Sequence, residues 1–424
     1  MKNKNIFIRI ISLMLVAVFA MTAVSCGVIT LDDPTISGDG GYEKLELIDR
    51  LFSTYSVFDL DEDALMDAIL KGYVAGTGDK YAEYFTAEEY EQFNKDNKGE
   101  FVGIGVSTIE NADKGCIEII NVMPESPALE AGLLAGDLIT HIGIGDKKQS
   151  IKEVGYTISL DLLRGEEESF AEFTVSREIN GETTEIEFSI VRKKVTSVSV
   201  ESHVCEIDSS VGIVKISQFN ITTPKQFSQA VDSLKNLGCD KFVFDVRYNP
   251  GGDLKSIKGV LSYFLNEGDV YIRVVDKDGK EESRVIEAIK YTDNYADCSI
   301  DKSDIGKYRD LNFAVIANQS TASAAELFTS VLMDYKLSVT VGTETYGKGV
   351  MQSTFSLAPY GYSGALKLTT SYYYPPFSES YDGIGVIPDR FVELDGTLAN
   401  KNIYAITDAE DNQLGAAIEE LYKK

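Results

Sequence analysis

Apolar residues fall at three- and four-residue spacing early in the chain and give way to short strand-like runs further on. Over residues 42–93, Leu45, Ile48, Leu51 and Phe52, then Leu65, Ile69 and Leu70, keep helical spacing. In GDKYAEYFTAEEYEQF (78–93), Thr86 followed by Glu89 is a capping-box pattern that starts a helix. From residue 99 the pattern changes. FVGIGVS (101–107) and CIEIINV (116–122) alternate or run apolar over strand length. In SPALEAGLLAGDLI (126–139), Pro127 opens a short helix, Gly132 stops it, and Gly136-Asp137 turns into a strand. Residues 170–176 and 185–191 add two strands about an Asn180-Gly181 hairpin turn. A compact β-rich module fits this stretch.

A βαβ rhythm begins at residue 211. Strand 211–217 leads to a helix with Thr223 as cap, Pro224 at its first position and Gly238 closing it. Strand 242–247 is a continuous apolar run, suited to burial on both faces. Next come a helix carrying Leu254, Ile257, Val260, Leu261 and Phe264, and a hairpin around Asp278-Gly279. Strand 313–318 feeds a helix from Ser323, with Leu327, Phe328, Val331, Leu332 and Tyr335 on its apolar side. Strand 338–342 completes an α/β core. Near the end, Leu414, Ile418 and Leu421 form an amphipathic face that either dimerises or caps the core.

Composition narrows the function. A chain of 424 residues implies two or three domains. Its formal charge of −27, from 67 acidic and 40 basic residues, repels phosphate backbones and anionic headgroups, which argues against nucleic-acid binding. Lys2, Lys4 and Arg9 precede an apolar run at 10–24, the shape of a secretory signal, and DDPTISGDGG (32–41) reads as a flexible tether. The five cysteines (Cys26, Cys116, Cys205, Cys239, Cys298) include no CxxC pair, so neither zinc nor a redox couple is signalled, and most are expected to be buried thiols. The two histidines, His141 and His203, exclude HExxH chemistry and leave a histidine-based triad few candidates.

Three strand ends are placed to make a site, because ligands gather at such ends in open α/β sheets. In DVRYNPGG (245–252), two glycines let backbone N–H groups face a cleft. In NQSTASAAE (318–326), a serine at the strand-to-helix corner projects from the sheet end, and the next N–H is free at a helix N-terminus. In GTETYGKGVMQ (342–352), Lys348 lies between two glycines. A serine hydroxyl needs a base, and a lysine whose pKa is lowered by burial can serve. Each piece alone is more often a cap or a turn; their order gives them weight.

These segments resemble a known family. FVFDVRYNPGG is similar to the LDLRxNPGG segment of the S41 carboxyl-terminal processing peptidases, QSTASAAE to their nucleophile segment, and ETYGKGVMQ to their lysine segment. LTTSYYYPPFSESYDGIGVIPD, from Leu368, resembles the segment closing their core. Tyr248 and Ala325 depart from the family's usual small or polar residue and serine. The resemblance implies Ser323 as nucleophile, Lys348 as general base and Gln352 as orienter of the lysine. It also implies an oxyanion hole from the N–H of Ala324 and that of Gly251 or Gly252. SPALEAGLLAGDLI is similar to a PDZ segment, with Gly103, Ile104, Gly105 and Val106 resembling its carboxylate-binding loop. LLRGEEESF resembles the family's segment after the binding helix, which implies Arg164 as a link between PDZ and protease. Ala-Val-Ser-Cys resembles the lipobox of bacterial lipoproteins, which implies lipid on Cys26, although Ala23 departs from the usual bulky aliphatic residue.

The expected architecture is multi-domain α/β: a signal (1–25), a tether (26–41), a helical N-terminal region (42–98), an inserted β-rich PDZ domain (99–195), an α/β serine-peptidase core (196–395) and a helical C-terminal segment (396–424). The expected function is extracytoplasmic endoproteolysis at the bacterial membrane, on protein substrates recognised by their C-terminal residues. No cofactor or metal is expected; a homodimer is one option for the apolar ends. The competing readings are an idle peptide-binding adaptor, a lipid-binding relative of the same fold, and SxxK chemistry at Ser299–Lys302, which lacks SDN and KTG partners.

Overall fold

The computed structural model describes residues 41–97, 100–111, 114–123, 126–179, 181–196, 198–398 and 406–423. The expected signal, Cys26 and most of the tether lie outside the described residues. The chain divides into two units, residues 1–66 and 67–424. In the first, helix α1 (Gly41–Tyr55) carries the anticipated apolar stripe, with Leu45, Ile48, Leu51 and Phe52 exposed. Helix α2 (Glu62–Gly76) runs across the boundary.

In the second unit, β1 (Glu83–Phe85) interrupts the region expected to be wholly helical. Tyr84 and Phe85 are buried there, because a longer strand later in the chain takes this segment as its neighbour. Helix α3 (Ala87–Asn97) follows, and its capping box forms: Glu89 N–H donates to Thr86 Oγ1 at 3.2 Å and Thr86 N–H to Glu89 Oε2 at 2.9 Å.

The expected strand at 101–107 is broken in two. Gly105, at φ +82°, turns the chain between β2 (Glu100–Gly103) and β3 (Val106–Asn111). Strands β3, β4 (Cys116–Val122), β5 (Leu138–Ile142), β7 (Phe170–Ile179) and β8 (Glu182–Val191) form an antiparallel sheet in that order, with β6 (Gln149–Ser150) on β5. Strand β2 pairs instead with β9 (Lys193–Thr196). Ser126 caps the short helix Pro127–Glu130, and helix α4 (Tyr156–Leu163) helps close the core of Ile104, Ile117, Ile139, Leu163 and Phe173. Asp137 is buried because it pairs with Arg177 Nε and Nη2, both at 2.6 Å, and accepts Leu134 N–H.

The α/β core is a six-stranded sheet in the order β10 (Val200–Val204), β11 (Val211–Ile216), β12 (Lys241–Asp245), β15 (Asn312–Ala317), β16 (Ser338–Gly342), β19 (Arg390–Phe391). Every pairing after β10–β11 is parallel. Parallel strands need cover on both faces, and the sequence supplies it. One face packs against α5 (Thr223–Asn236), α6 (Leu254–Ser262) and α7 (Ala324–Asp334), where Phe219, Phe227, Phe244, Phe264, Phe313 and Phe328 form a ring cluster. The other face packs against α8 (Asn412–Leu421): Leu414, Ile418 and Leu421 lie on Val211, Val243 and Ile316, so this apolar face caps the core. A second antiparallel sheet joins β14 (Glu281–Val285), β13 (Val270–Asp276), β18 (Ala365–Tyr374) and β1, with β17 (Val350–Ser356) on β18.

Candidate active site

Because β12, β15 and β16 are parallel, the segments that leave them emerge at one edge of the sheet. The middle segment forms a tight corner. Asn318 N–H donates to Thr321 Oγ1 at 3.0 Å, and Thr321 Oγ1 donates to Val246 O at 2.8 Å. Ala322 N–H reaches Asn249 O at 2.9 Å. The chain then passes through Ser323 at φ +57°, ψ −120°, and enters α7. A side-chain-bearing residue adopts such a conformation only when its surroundings impose it.

Glu326, one turn into α7, does much of the imposing. Its side chain is fully buried and accepts four hydrogen bonds. Oε2 takes the N–H of Ser323 and the N–H of Lys348, both at 2.8 Å. Oε1 takes the Gly347 N–H at 2.6 Å and the Thr345 hydroxyl at 2.5 Å. One carboxylate therefore fixes the serine corner against the lysine loop. Burial pushes its pKa above the ordinary carboxylate value, and the four donors pull the other way. Sequence reading passed over this residue as part of a helix start; the capping-box spacing Ser323–Glu326 was the available signal.

Lys348 is half-buried between Gly347, at φ +85°, and Gly349, whose N–H donates to Asp382 Oδ1. Its carbonyl accepts the phenol of the buried Tyr373 at 2.6 Å. Its ammonium lies 4.5 Å from the centre of the Tyr81 ring. Burial holds its pKa below 10.5, helped by the positive charges of Lys367 and Lys80, while Glu326 and Asp79 oppose the shift.

Gln352, expected to orient the lysine, is turned elsewhere. Its amide donates to Thr369 Oγ1 at 3.3 Å and weakly to Val350 O. Thr369 is itself held by Asp79, through its N–H at 2.7 Å and its hydroxyl at 3.0 Å. A register shift between Met351 and Gln352 accompanies this placement.

The first segment is anchored from below. Arg247, buried, donates from Nε and Nη2 to Asp245, from Nη2 to Asp411 at 2.7 Å and from Nη1 to Gln413 at 3.0 Å. Asp411 and Gln413 open α8, so the C-terminal helix grips the root of the NPGG turn. Above it, Asn249 donates to Ile216 O and accepts the Gly251 N–H at 2.9 Å. That bond removes Gly251 from the two glycines expected to offer a free donor. Among the described residues, no acceptor takes the N–H of Gly252 or of Ala324. A side chain on Gly251 would press against Ser323 Cβ and Ala324 N, so the turn and the corner are in close contact.

Neither histidine lies on these segments. His141 is in β5, and His203, on the outer strand β10, pairs with Asp408 at 3.0 Å. The four described cysteines are buried free thiols.

In the β-rich module, β3 is, among the described residues, an edge strand that pairs with β4 alone. Gly103 belongs to β2, Ile104 is buried with its carbonyl on Ala128 N–H, and Gly105 carries the turn into Val106. Tyr156 and Leu160 of α4 are partly buried on the same core as Val106. Arg164 ends α4 with its side chain exposed.

Comparisons with known proteins identify the family. The model of peptidase family S41 matches residues 210–392. A carboxy-terminal-processing protease of Bartonella bacilliformis is 30% identical over 338 residues, covering 78% of this chain and 70% of that protein. A CtpA-like serine protease of Staphylococcus saprophyticus is 28% identical over 351 residues; the match takes in 83% of this chain and 65% of the relative's length. Among solved structures, a Bacteroides fragilis chain assigned to the S41 proteases has the same fold, with a TM-score of 0.53 at 19% identity over 87% of this chain and 92% of that one. The chain belongs to peptidase family S41, with the carboxy-terminal-processing serine proteases.

Proposed function

We propose that this chain is an extracytoplasmic endopeptidase in which Ser323 attacks the peptide carbonyl and Lys348 is the general base. The observation that carries this is the shared Glu326 oxygen, which ties the serine and the lysine backbones together. A lysine amine with a lowered pKa takes the hydroxyl proton and later returns it to the leaving amine, and an acyl-enzyme forms between. The N–H groups of Ala324 and Gly252, which no acceptor takes among the described residues, suit the developing oxyanion. The amine beside the Tyr81 ring must lose its proton to act, and Gln352 must leave Thr369 to orient it.

The β-rich module is proposed to be a PDZ domain. The free edge of β3 beside α4 suits strand addition by a substrate's C-terminal tail, with the terminal carboxylate at residues 103–106. Arg164, at the end of α4, is the proposed link from the occupied groove to the core. The leader pattern and Cys26 support secretion and anchoring by lipid at the membrane. The test is direct. Purified Ser323→Ala and Lys348→Ala variants should melt like the parent and leave an unfolded protein substrate intact, and a fluorophosphonate should label Ser323 in the parent. Residual cleavage by either variant would remove these roles.

A further inference from the structure

Tyr248 stands in the NPGG turn where glycine or asparagine would be the least strained choice. Its φ is +62°. The turn requires this: Arg247 before it and Asn249 after it are both buried and held by several hydrogen bonds, so the backbone must reverse hand between them. Among the described residues, four non-glycine residues have positive φ, and two of them, Tyr248 and Ser323, lie on segments bonded to each other through residues 318–323. Ser323 has a chemical reason to be there. Nothing in the folding of the turn calls for a tyrosine, since its side chain is 46% exposed and its backbone N–H, bonded to Asn318 Oδ1 at 3.1 Å, would be supplied by any residue but proline. Strain kept at an exposed aromatic position points to use of the ring.

A second tyrosine hangs from the same corner. Tyr346, 54% exposed, donates its N–H to Thr321 O at 3.0 Å from the lysine loop. The corner 318–323 thus carries one exposed tyrosine on each of the two segments bonded to it. Tyrosine rings offer large, rigid apolar surface with a polar edge that tolerates water, the property that enriches them at binding surfaces.

We propose that Tyr248, with Tyr346, forms an aromatic lip that grips a bulky apolar side chain of the substrate next to the scissile bond. The lip determines specificity and takes no part in proton transfer. The proposal rests on the peptidase reading above and adds the class of residue read beside the cut.

The experiment is digestion of a peptide library from a bacterial extract by the parent and by Tyr248→Gly, with cut sites read by mass spectrometry. The parent should cut beside Leu, Ile, Phe or Tyr in preference. Tyr248→Gly should lose that preference, with kcat/KM at the favoured sites falling about tenfold, mainly through KM. Its melting temperature should equal or exceed the parent's, because the substitution relieves the backbone. Tyr248→Asn should behave alike. An unchanged cut-site profile overturns the lip. So does equal loss at every site together with loss of fluorophosphonate labelling, which would make Tyr248 a builder of the oxyanion turn. If the parent cuts nothing that Ser323→Ala leaves whole, the peptidase reading itself falls.

Discussion

Ser323 and Lys348 bond through their backbone N–H groups to one and the same oxygen, Oε2 of Glu326. The two residues proposed for catalysis are thus set by a third that is fully buried. Glu326→Gln keeps the shape but turns an NH2 group towards donors that need an acceptor, at a cost of about 1–3 kcal/mol for each unmet bond. The variant is expected to lose about a hundredfold or more in kcat and several degrees in melting temperature, with Glu326→Asp too short to restore either. Steady-state kinetics beside thermal melts check this. A variant with full kcat would show that the corner and the lysine loop hold their places unaided.

Burial lowers the pKa of Lys348, and the positive charge of Lys367 adds to that shift. Lys367 also pairs with Glu83 at 2.6 Å, so Lys367→Gln both removes a cation and frees an anion nearby. Each change favours the charged ammonium. The base must be neutral to act, so the acidic limb of the kcat/KM profile should move to higher pH and activity near neutrality should fall. The sign for stability follows from the same shift. Between the lowered folded pKa and 10.5, the unfolded chain binds the proton more readily, so the Lys348 contribution to stability rises with pH across that window. A profile measured from acidic to alkaline pH checks the prediction, and a limb that moves to lower pH would contradict the assignment of the base.

Gly105 turns the chain at φ +82°, and a Cβ there would collide with Ser126 Cβ. Gly105→Ala should therefore displace residues 103–106 and weaken binding of a peptide tail by about tenfold or more, measured by fluorescence anisotropy. The parent should prefer the free-acid peptide to its C-terminal amide. Equal affinity for the two forms would sink the carboxylate reading.

Much of the core was legible because parallel strands buried on both faces are written as apolar runs, as in FVFDV and FAVIA. Strand 338–342 has the expected bounds, and β15 begins one residue before its expected start. The long strands β17 and β18 were touched only in part by family segments, at 350–352 and from 368. They are partly exposed and rich in Ser, Thr and Tyr, so no apolar period marks them. Strand β1 was hidden for a different reason: three residues become a strand only when β18 is present to pair with them. At the site, the lysine loop showed itself by its glycines, the serine corner by its place between strand and helix, and both by their order. The partners of Gln352 and Gly251 did not, because each depends on a rotamer or a peptide orientation chosen by tertiary neighbours such as Thr369 and Asn249.

The grip of Asp411 and Gln413 on Arg247 has a consequence in time. A ribosome makes the serine and the lysine well before it makes the residues that brace the Asn-Pro-Gly-Gly turn. Until the final helix has emerged and docked, the guanidinium lacks two of its acceptors and the turn above it lacks its foundation.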